Sequence, residues 1–251
     1  MNVLVVDDDH GMCKTLCDIL SVKGYGCEAA YSGEEAIQRV RQKDYHCILM
    51  DIKMPGINGV EAFQTIRKMT TNTVIILMTA YFTDPSVLEA KRQGILAVLP
   101  KPLNITSFLN FLSTLEKGKA ILIVDDDPHF CWTMGNILKE QDFKIQAALS
   151  SEEAVEKITK DGVDIVLLDM KLNGLTGLDV LKLMRKAEPN IQVILITGYY
   201  QEMAEAIKDA LDIKAYTCLY KPLDMDKLFR TLEEIYRKKW QQLLGQLSAE
   251  I

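Results

Sequence analysis

Short apolar runs alternate with segments of helical periodicity along most of the chain. Five such runs in the first half predict β-strands, at 3–6, 27–30, 45–50, 74–78 and 95–99. After the first run, Met12, Leu16 and Ile19 recur every three or four positions, a spacing that predicts an amphipathic helix. Strands that are apolar throughout and alternate with such helices are typical of a parallel sheet covered on both faces.

The same pattern occurs a second time, about 118 residues further along the chain, with strands predicted at 163–168, 191–196 and 215–220. Four pairs of equivalent residues mark this period: Asp7 and Asp125, Asp51 and Asp169, Thr79 and Thr197, and, after a two-residue insertion, Lys101 and Lys221. A period of this length indicates a duplicated domain, because solenoid repeats are much shorter. The pattern therefore predicts two doubly wound (βα)5 domains in tandem, at 1–117 and 118–236, followed by a C-terminal helical extension at 237–251.

The composition is that of a globular chain, with 48% hydrophobic and 25% charged residues and a net charge of −6. The apolar runs are far shorter than the ~20 residues that span a bilayer, so we expect no membrane segment. The N-terminus, MNVLVVDDD, lacks a basic stretch before its apolar run, and we expect a cytoplasmic protein. No stripe of Lys and Arg with interleaved aromatic residues is present, which argues against direct nucleic-acid binding.

The cysteines do not form a recognisable metal or disulfide motif. The chain has 6 cysteines and no Cys-x-x-Cys spacing. Cys13 and Cys17 stand four positions apart on a predicted helix, but no second pair of ligands follows at a suitable spacing. We therefore expect reduced thiols that serve as small core or surface residues.

Polar residues capable of chemistry stand just after the predicted strands, which is where ligands bind in open parallel sheets. In the first copy these residues are Asp7, Asp8, Asp51, Thr79 and Lys101, and in the second they are Asp125, Asp126, Asp169, Thr197 and Lys221. Carboxylates that converge on one edge favour a cation, and oxygen ligands favour Mg²⁺. A lysine and a hydroxyl beside them suit a phosphoryl group in transfer, with a carboxylate as the nucleophile.

The segments VLVVDDD, DIKMPGING, ILMTAY and VLPKP, in this order and spacing, resemble the receiver domains of two-component response regulators. The resemblance covers 1–115 and again 119–235, and it implies a flavodoxin-like fold for both domains. It also implies that Asp51 and Asp169 accept a phosphoryl group from a sensor histidine kinase or a histidine phosphotransfer protein. The chain would then act on a downstream protein still to be identified. It would not be an enzyme, apart from phosphorylating itself from a donor and slowly releasing the phosphoryl group.

The resemblance assigns further roles to the residues at the strand ends. One Mg²⁺ per domain, with Mn²⁺ as an alternative, would be held by three carboxylates and a backbone carbonyl: Asp7, Asp8, Asp51 and the carbonyl of Lys53, or Asp125, Asp126, Asp169 and the carbonyl of Lys171. The phosphoryl group would be bound by Thr79 and Lys101 in the first domain and by Thr197 and Lys221 in the second. The Lys101–Pro102 and Lys221–Pro222 peptides would be cis. Asp9 and Asp127 would instead begin the following helices, where negative charge suits the helix dipole.

Some positions depart from the family pattern or vary within it. Val98 and Cys218 stand where receivers usually carry an aromatic residue that reports phosphorylation. The loop DMKLNGLTG has Leu172 and Asn173 in place of Met-Pro, although it keeps Gly177 as the first copy keeps Gly59. Lysines two positions past each acceptor and tyrosines two positions past each threonine resemble receivers of sporulation-type phosphorelays, and they predict slow hydrolysis: Lys53, Tyr81, Lys171 and Tyr199.

Two other functions and three interpretations of the C-terminal extension remain open. The chain could be the regulatory part of a larger regulator, with a DNA-binding or nucleotide-cyclase output domain after residue 251. A hydrolase of the haloacid-dehalogenase type is disfavoured, because that family needs Asp-x-Asp where this chain has Asp51-Ile-Lys53. In the extension, one apolar helical face is predicted, formed by Tyr236, Trp240, Leu243, Leu244 and Leu247. We favour a helix that forms a homodimer or the stub of a linker over a helix folded back on its own domains.

Overall fold

The computed structural model describes residues 1–70, 72–160, 162–172 and 175–246, apart from the side chains at positions 200, 201 and 246. Asn173 and Leu247 therefore lie outside the described residues. The chain divides into two compact units: unit 1 comprises Met1–Glu116 with Arg237–Ile251, and unit 2 comprises Lys117–Tyr236. No helix in the described ranges is both long enough and apolar enough to cross a membrane.

Unit 1 contains a parallel sheet of five strands with helices between them. Its elements are β1 (Asn2–Val6), α1 (His10–Val22), β2 (Gly26–Ala30), α2 (Gly33–Gln42), β3 (Cys47–Asp51), α3 (Gly59–Arg67), β4 (Val74–Thr79), α4 (Pro85–Arg92), β5 (Ala97–Pro100) and α5 (Ile105–Lys117). The strand order is β2-β1-β3-β4-β5, so the order in which strands are added to the sheet reverses between β1 and β3. This point is where ligands bind in doubly wound sheets.

Unit 2 repeats this topology. Its elements are β6 (Lys119–Val124), α6 (Pro128–Lys139), β7 (Phe143–Ala148), α7 (Ser151–Lys160), β8 (Ile165–Asp169), α8 (Gly177–Ala187), β9 (Gln192–Thr197), α9 (Tyr200–Asp212), β10 (Thr217–Tyr220) and α10 (Met225–Gln246). The strand order is β10-β9-β8-β6-β7, with all neighbours parallel. The predicted fold class, two (βα)5 domains with a C-terminal helix, is confirmed.

The predicted strands agree with the structure to within about two residues, and β5 shows why the ends differ. The sequence predicts a strand from Ile95, but β5 begins at Ala97. Gly94 adopts a left-handed conformation at φ 81°, and the Ile95 N–H donates to the carbonyl of Ala90 at 3.1 Å. Ile95 therefore completes the C-terminal cap of α4, although its apolar side chain extends the strand pattern.

The cysteine prediction is wrong for one pair. Cys17 on α1 and Cys27 on β2 form a disulfide with a Cα–Cα distance of 5.2 Å. Because α1 packs beside β2, two residues with no motif spacing come within bridging distance. Cys13, the residue four positions before Cys17, is buried instead, and its thiol donates to the carbonyl of Asp7.

Candidate functional site

The carboxyl ends of β1 and β3 bring two buried carboxylates together in unit 1. Asp7 follows β1 and is 1% exposed, whereas Asp51 ends β3 and is 6% exposed. β1 is apolar and buried from Val3 onward and β3 is buried throughout, so the sheet itself brings the acids to its edge. Asp8 is exposed beside them. A charged residue in such a position needs a partner, because burial penalises the ionised form.

Lys101 supplies that partner from the end of β5. Its Nζ lies 2.6 Å from Asp7 Oδ2 and 2.8 Å from Asp51 Oδ2. Its backbone N–H donates to the carbonyl of Thr79 at 2.9 Å, which ties the ends of β4 and β5 together. Burial raises the pKa of the Asp51 carboxyl, although Lys101 partly offsets this effect. Burial also disfavours the charged Lys101, but its two carboxylate contacts outweigh that cost and raise its pKa.

The acidic cluster of unit 1 suits a hard divalent cation. Asp7, Asp8 and Asp51 each offer a carboxylate oxygen, and these oxygens lie within 4.8 Å of one another. Asp7 Oδ2 is buried and lacks a hydrogen-bond partner of suitable geometry, even with Lys101 close by. Oxygen ligands at this spacing fit Mg²⁺, which uses few carboxylates and completes its shell with water and phosphate oxygens. The residues present therefore fit the cofactor that the sequence predicts.

Asp9, the third carboxylate of VLVVDDD, has a structural role at the start of a helix. Asp9 is the N-cap of α1, and its side chain accepts a hydrogen bond from the Met12 N–H at 3.0 Å. Asp127 caps α6 in the same way through the N–H of His129. Both residues begin helices as predicted, because a side-chain oxygen here satisfies a free N–H of the first turn.

Unit 2 repeats the lysine bridge on its own strands. Lys221 Nζ lies 2.7 Å from Asp125 Oδ2 and 3.0 Å from Asp169 Oδ1. Its backbone N–H donates to the carbonyl of Thr197 at 2.8 Å. Burial raises the pKa of Asp169 above its usual value, and Lys221 partly offsets the shift. The arrangement around the second carboxylate is therefore equivalent to that of unit 1.

The two sites differ in their acidic clusters. Among the residues that the structure describes, Asp125, Asp126 and Asp169 do not gather as closely as their equivalents in unit 1. Lys221 Nζ also lies 4.2 Å from the ring centre of Phe130, where unit 1 has Met12. An aromatic ring attracts a cation, so Phe130 gives Lys221 a further favourable contact beside its two carboxylates.

The two threonines lie buried at the ends of β4 and β9. Thr79 Oγ1 accepts a hydrogen bond from the Tyr81 N–H at 3.0 Å, and Thr197 Oγ1 accepts one from Tyr199 at 3.0 Å. The loop that follows each strand is therefore fixed to the threonine hydroxyl. A change at the hydroxyl would be transmitted directly to this loop.

A lysine and a tyrosine stack beside each site. Lys53 Nζ lies 4.6 Å from the ring centre of Tyr81, and Lys171 Nζ lies 4.0 Å from that of Tyr199. In unit 1, Lys53 also pairs with Asp84 at 2.7 Å, and this contact lowers the pKa of the Asp84 carboxyl. Asp84 is not among the residues predicted from the sequence, although the Asp-Pro pair at the start of α4 was an available signal.

The remaining predicted features are placed as follows. Both lysine–proline peptides, Lys101–Pro102 and Lys221–Pro222, are cis, as predicted. Val98 is buried in the core of unit 1, and Cys218 is half-buried on β10. The carbonyl ligands assigned to Lys53 and Lys171 remain predictions, although the Lys171 N–H donates to Asp169 Oδ2 at 2.9 Å.

Two glycines allow each acceptor strand to pack closely against the helix that follows it. A Cβ at Gly59 would lie 2.1 Å from the carbonyl oxygen of Asp51, and one at Gly177 would lie 2.6 Å from that of Asp169. The Gly59 N–H donates to the carbonyl of Ile52 at 2.9 Å. Only a residue without a side chain permits this approach, so both glycines help to position the carboxylates.

The chain is similar to proteins of one family. The sequence profile of the response regulator receiver domain matches residues 3–113 and 121–233. A response regulator receiver protein of Anaeromyxobacter sp. (strain Fw109-5) is 26% identical over 241 residues, which cover 96% of this chain and 98% of that protein. Sporulation initiation phosphotransferase F of Bacillus subtilis (strain 168) is 32% identical over 111 residues, covering 44% of this chain and 88% of that protein.

Among solved structures, the response regulator protein TrrA of Thermotoga maritima, in complex with Mg(2+)-BeF, is 28% identical to this chain. The superposition has a TM-score of 0.42 and covers 47% of this chain and 98% of that one.

Proposed function

The chain belongs to the response regulator receiver domain family, and on that premise we propose that Asp51 and Asp169 are its phosphoryl acceptors. In each transfer a carboxylate oxygen attacks the phosphorus of a phosphohistidine on the donor. The new P–O bond forms as the P–N bond breaks, and the departing imidazole takes up a proton. The product is an aspartyl phosphate, which can be passed on or hydrolysed.

The lysine bridge is the observation that carries this proposal. Lys101 lies within 2.8 Å of both Asp7 and Asp51, and Lys221 repeats the arrangement within 3.0 Å of its two carboxylates. A lysine that holds a buried carboxylate can transfer its contact to a phosphoryl oxygen when the carboxylate becomes esterified. The positive charge is thus already positioned where the negative charge develops.

The hydroxyl groups of Thr79 and Thr197 are proposed to follow the new phosphoryl oxygen. In doing so, each would give up the hydrogen bond that it now accepts from the loop N–H two residues later. That loop would then rearrange, which changes the surface offered to a partner. Phosphorylation would in this way become a change in protein–protein interaction.

Mg²⁺, or Mn²⁺ in its place, is proposed as the cofactor of both sites. The residues that would hold it are Asp7, Asp8, Asp51 and the Lys53 carbonyl in unit 1, and Asp125, Asp126, Asp169 and the Lys171 carbonyl in unit 2. A bound divalent ion would neutralise the carboxylates and the phosphoryl oxygens together. Because the acidic cluster is tighter in unit 1, we expect the first site to bind the metal more strongly.

The stacked lysine–tyrosine pairs support a long-lived phosphoryl group. Tyr81 and Tyr199 lie over the Lys53 and Lys171 ammonium groups beside the acceptors, where a hydrolytic water would approach. Tyr81→Ala should shorten the half-life of the Asp51 phosphoryl group, with the exposed Tyr31→Ala as the control. Loss of the phosphoryl group from wild-type protein within seconds of donor removal would contradict this part of the proposal.

The partners proposed are a sensor histidine kinase or a histidine phosphotransfer protein upstream and an unidentified protein downstream. The similarity to a sporulation initiation phosphotransferase favours a relay, in which the phosphoryl group moves onward to another protein. An output domain beyond residue 251 is the alternative, and it would make the two receivers the regulatory part of a larger regulator. A cytoplasmic location also remains part of the proposal.

The acceptor assignment can be tested by trapping the acyl phosphate. After incubation with acetyl phosphate and Mg²⁺, borohydride reduction converts an aspartyl phosphate to homoserine, which peptide mass mapping then locates. We expect homoserine at positions 51 and 169, and none when the metal is removed with EDTA. Homoserine only at other aspartates, or stable phosphate esters on serine or threonine, would contradict the assignment.

A further inference from the structure

The last part of α10, Arg237–Gly245, packs into unit 1, and we call it the cover segment. Leu244 is 1% exposed and belongs to the same core cluster as Phe111 and Leu112 of α5. Trp240 packs against this cluster and is half-buried. The cover segment therefore contributes to the apolar core of the first receiver.

The cover segment also supplies polar contacts at the start of β5. Gln241 Nε2 donates to the carbonyl of Leu96 at 3.3 Å, and an Arg237 guanidinium nitrogen donates to the carbonyl of Gly94 at 3.2 Å. Both carbonyls lie just before β5, which is an edge strand of its sheet and pairs with β4. The cover segment therefore holds the stretch of chain that leads into β5.

The cover segment has a buried side and an exposed side. Lys238, Gln242 and Gly245 are exposed, whereas Leu244 is buried. Trp240 and Leu244, two residues of the apolar face predicted from the sequence, therefore already pack within unit 1. A dimer through that face would first require its release.

We propose that the cover segment is a releasable lid over the start of β5 in the first receiver, and that the phosphoryl state of Asp51 controls its release. This inference rests on the proposed function of Asp51. The shared element is β5, which begins at Ala97 next to Leu96 and ends at Pro100 next to Lys101. The cover segment holds one end through Gln241, and the Asp51 site holds the other through Lys101.

The two ends of β5 are thus linked thermodynamically. When Lys101 moves its contact from the carboxylate to a phosphoryl oxygen, β5 shifts with it and the docking of the cover segment changes. Coupling of this kind is reciprocal, so release of the cover segment also changes the phosphorylation of Asp51. Release would expose the apolar residues of unit 1 that Leu244 now covers.

Trp240 provides a direct probe of the docked state. The chain has 2 tryptophans, and the other, Trp132, is 71% exposed on α6, so Trp132→Phe leaves Trp240 as the single reporter. In that background, Leu244→Asp should raise the acrylamide quenching constant of Trp240 by about twofold or more, because local opening exposes the ring. Gln242→Asp places the same charge two residues away on the exposed face and should leave the constant unchanged.

A milder variant distinguishes local release of the cover segment from unfolding of the whole protein. Leu244→Ala keeps the helix and should raise the quenching constant by a smaller amount, while near-UV circular dichroism shows that the fold persists. Equal quenching in the Trp132→Phe protein with and without Leu244→Asp or Leu244→Ala would show that the cover segment is not docked and would overturn the inference.

Phosphorylation of the protein tests the coupling between Asp51 and the docking of the cover segment. With acetyl phosphate and Mg²⁺, the quenching constant of the Trp132→Phe protein should change by about twofold or more, and it should stay constant when Asp51→Asn is added. Borohydride reduction and peptide mass mapping of the same samples report phosphoryl incorporation at Asp51. An unchanged constant together with a phosphorylated Asp51 would overturn the inference and leave the proposed function standing. A lack of incorporation at Asp51 would instead overturn the proposed function.

Discussion

Gly59→Ala should displace Asp51, the first acceptor. The displacement should be larger than that caused by a conservative substitution of any residue whose side chain contacts Asp51. The new Cβ would lie 2.1 Å from the Asp51 carbonyl oxygen, whereas real Cβ atoms stay beyond 3.0 Å, so about 0.9 Å must be gained. Both partners in this contact belong to the backbone, and no side-chain rotation can relieve it. Either β3 or the start of α3 must move by about that distance.

The cost can be estimated from this overlap. Forced overpacking in a well-packed site costs ~1–3 kcal/mol, and we expect Gly59→Ala to fall in the upper part of that range. A displacement near 1 Å can lower a rate by about 10²-fold, so phosphorylation of Asp51 should fall by up to that factor. Gly177→Ala is the matched variant in unit 2, where the contact of 2.6 Å leaves only about 0.4 Å to be gained. The loss of stability caused by Gly177→Ala should be smaller, and only the phosphorylation of Asp169 should fall.

The assay combines urea denaturation with site-resolved phosphorylation by acetyl phosphate. Gly245→Ala serves as the control, because no atom lies within 4 Å of the added Cβ. Alanine is also the better helix former there, so stability should be unchanged or slightly higher. If Gly59→Ala matches wild type in both measurements, or if Gly177→Ala proves the more damaging, the close approach of α3 to the acceptor strand does not control the site.

Three further predictions concern the charges and thiols of unit 1. Lys101→Met leaves the Asp51 carboxylate without its cation and should lower its phosphorylation by about 10²-fold, measured by intact mass, while the second domain keeps its rate. Contacts with Lys43, Tyr45 and Arg39 lower the pKa of Glu28 from 4.5 to about 2, so its stabilising contribution is complete above pH 4.5 and disappears as pH falls towards 2. The difference in unfolding free energy between wild type and Glu28→Gln should therefore shrink over that pH range, and a constant difference would contradict the pKa shift. Thiol titration under denaturing conditions should find 4 free cysteines before reduction and 6 after it, whereas 6 from the outset would contradict the Cys17–Cys27 disulfide.

The sequence predicted the fold and the positions of the site residues because both depend on local patterns that occur twice. Asp7, Asp51 and Lys101 follow apolar strands, and parallel strands bring their carboxyl ends to one edge. Their convergence therefore required no knowledge of packing. The start of β5 was harder to predict, because the cap at Gly94 overrides the apolar pattern.

Features that depend on tertiary neighbours could not be predicted from the sequence. The Cys17–Cys27 disulfide arises from the packing of α1 beside β2, which no spacing rule encodes. The ion pair of Lys53 with Asp84 joins two loops that follow different strands. Leu244 shows an apolar helical face in the sequence, but the surface that it covers is visible only in the fold. Periodicity shows that a face must be buried, without showing what buries it.

The number of phosphoryl groups per chain tests the central claim most directly. Intact mass spectrometry after incubation with acetyl phosphate and Mg²⁺ would compare wild type, Asp51→Asn, Asp169→Asn and the double variant. The account predicts up to two phosphoryl groups on the wild type, one on each single variant and none on the double variant. Phosphorylation of the double variant at the level of wild type would contradict it, because the phosphoryl groups would then reside on other residues.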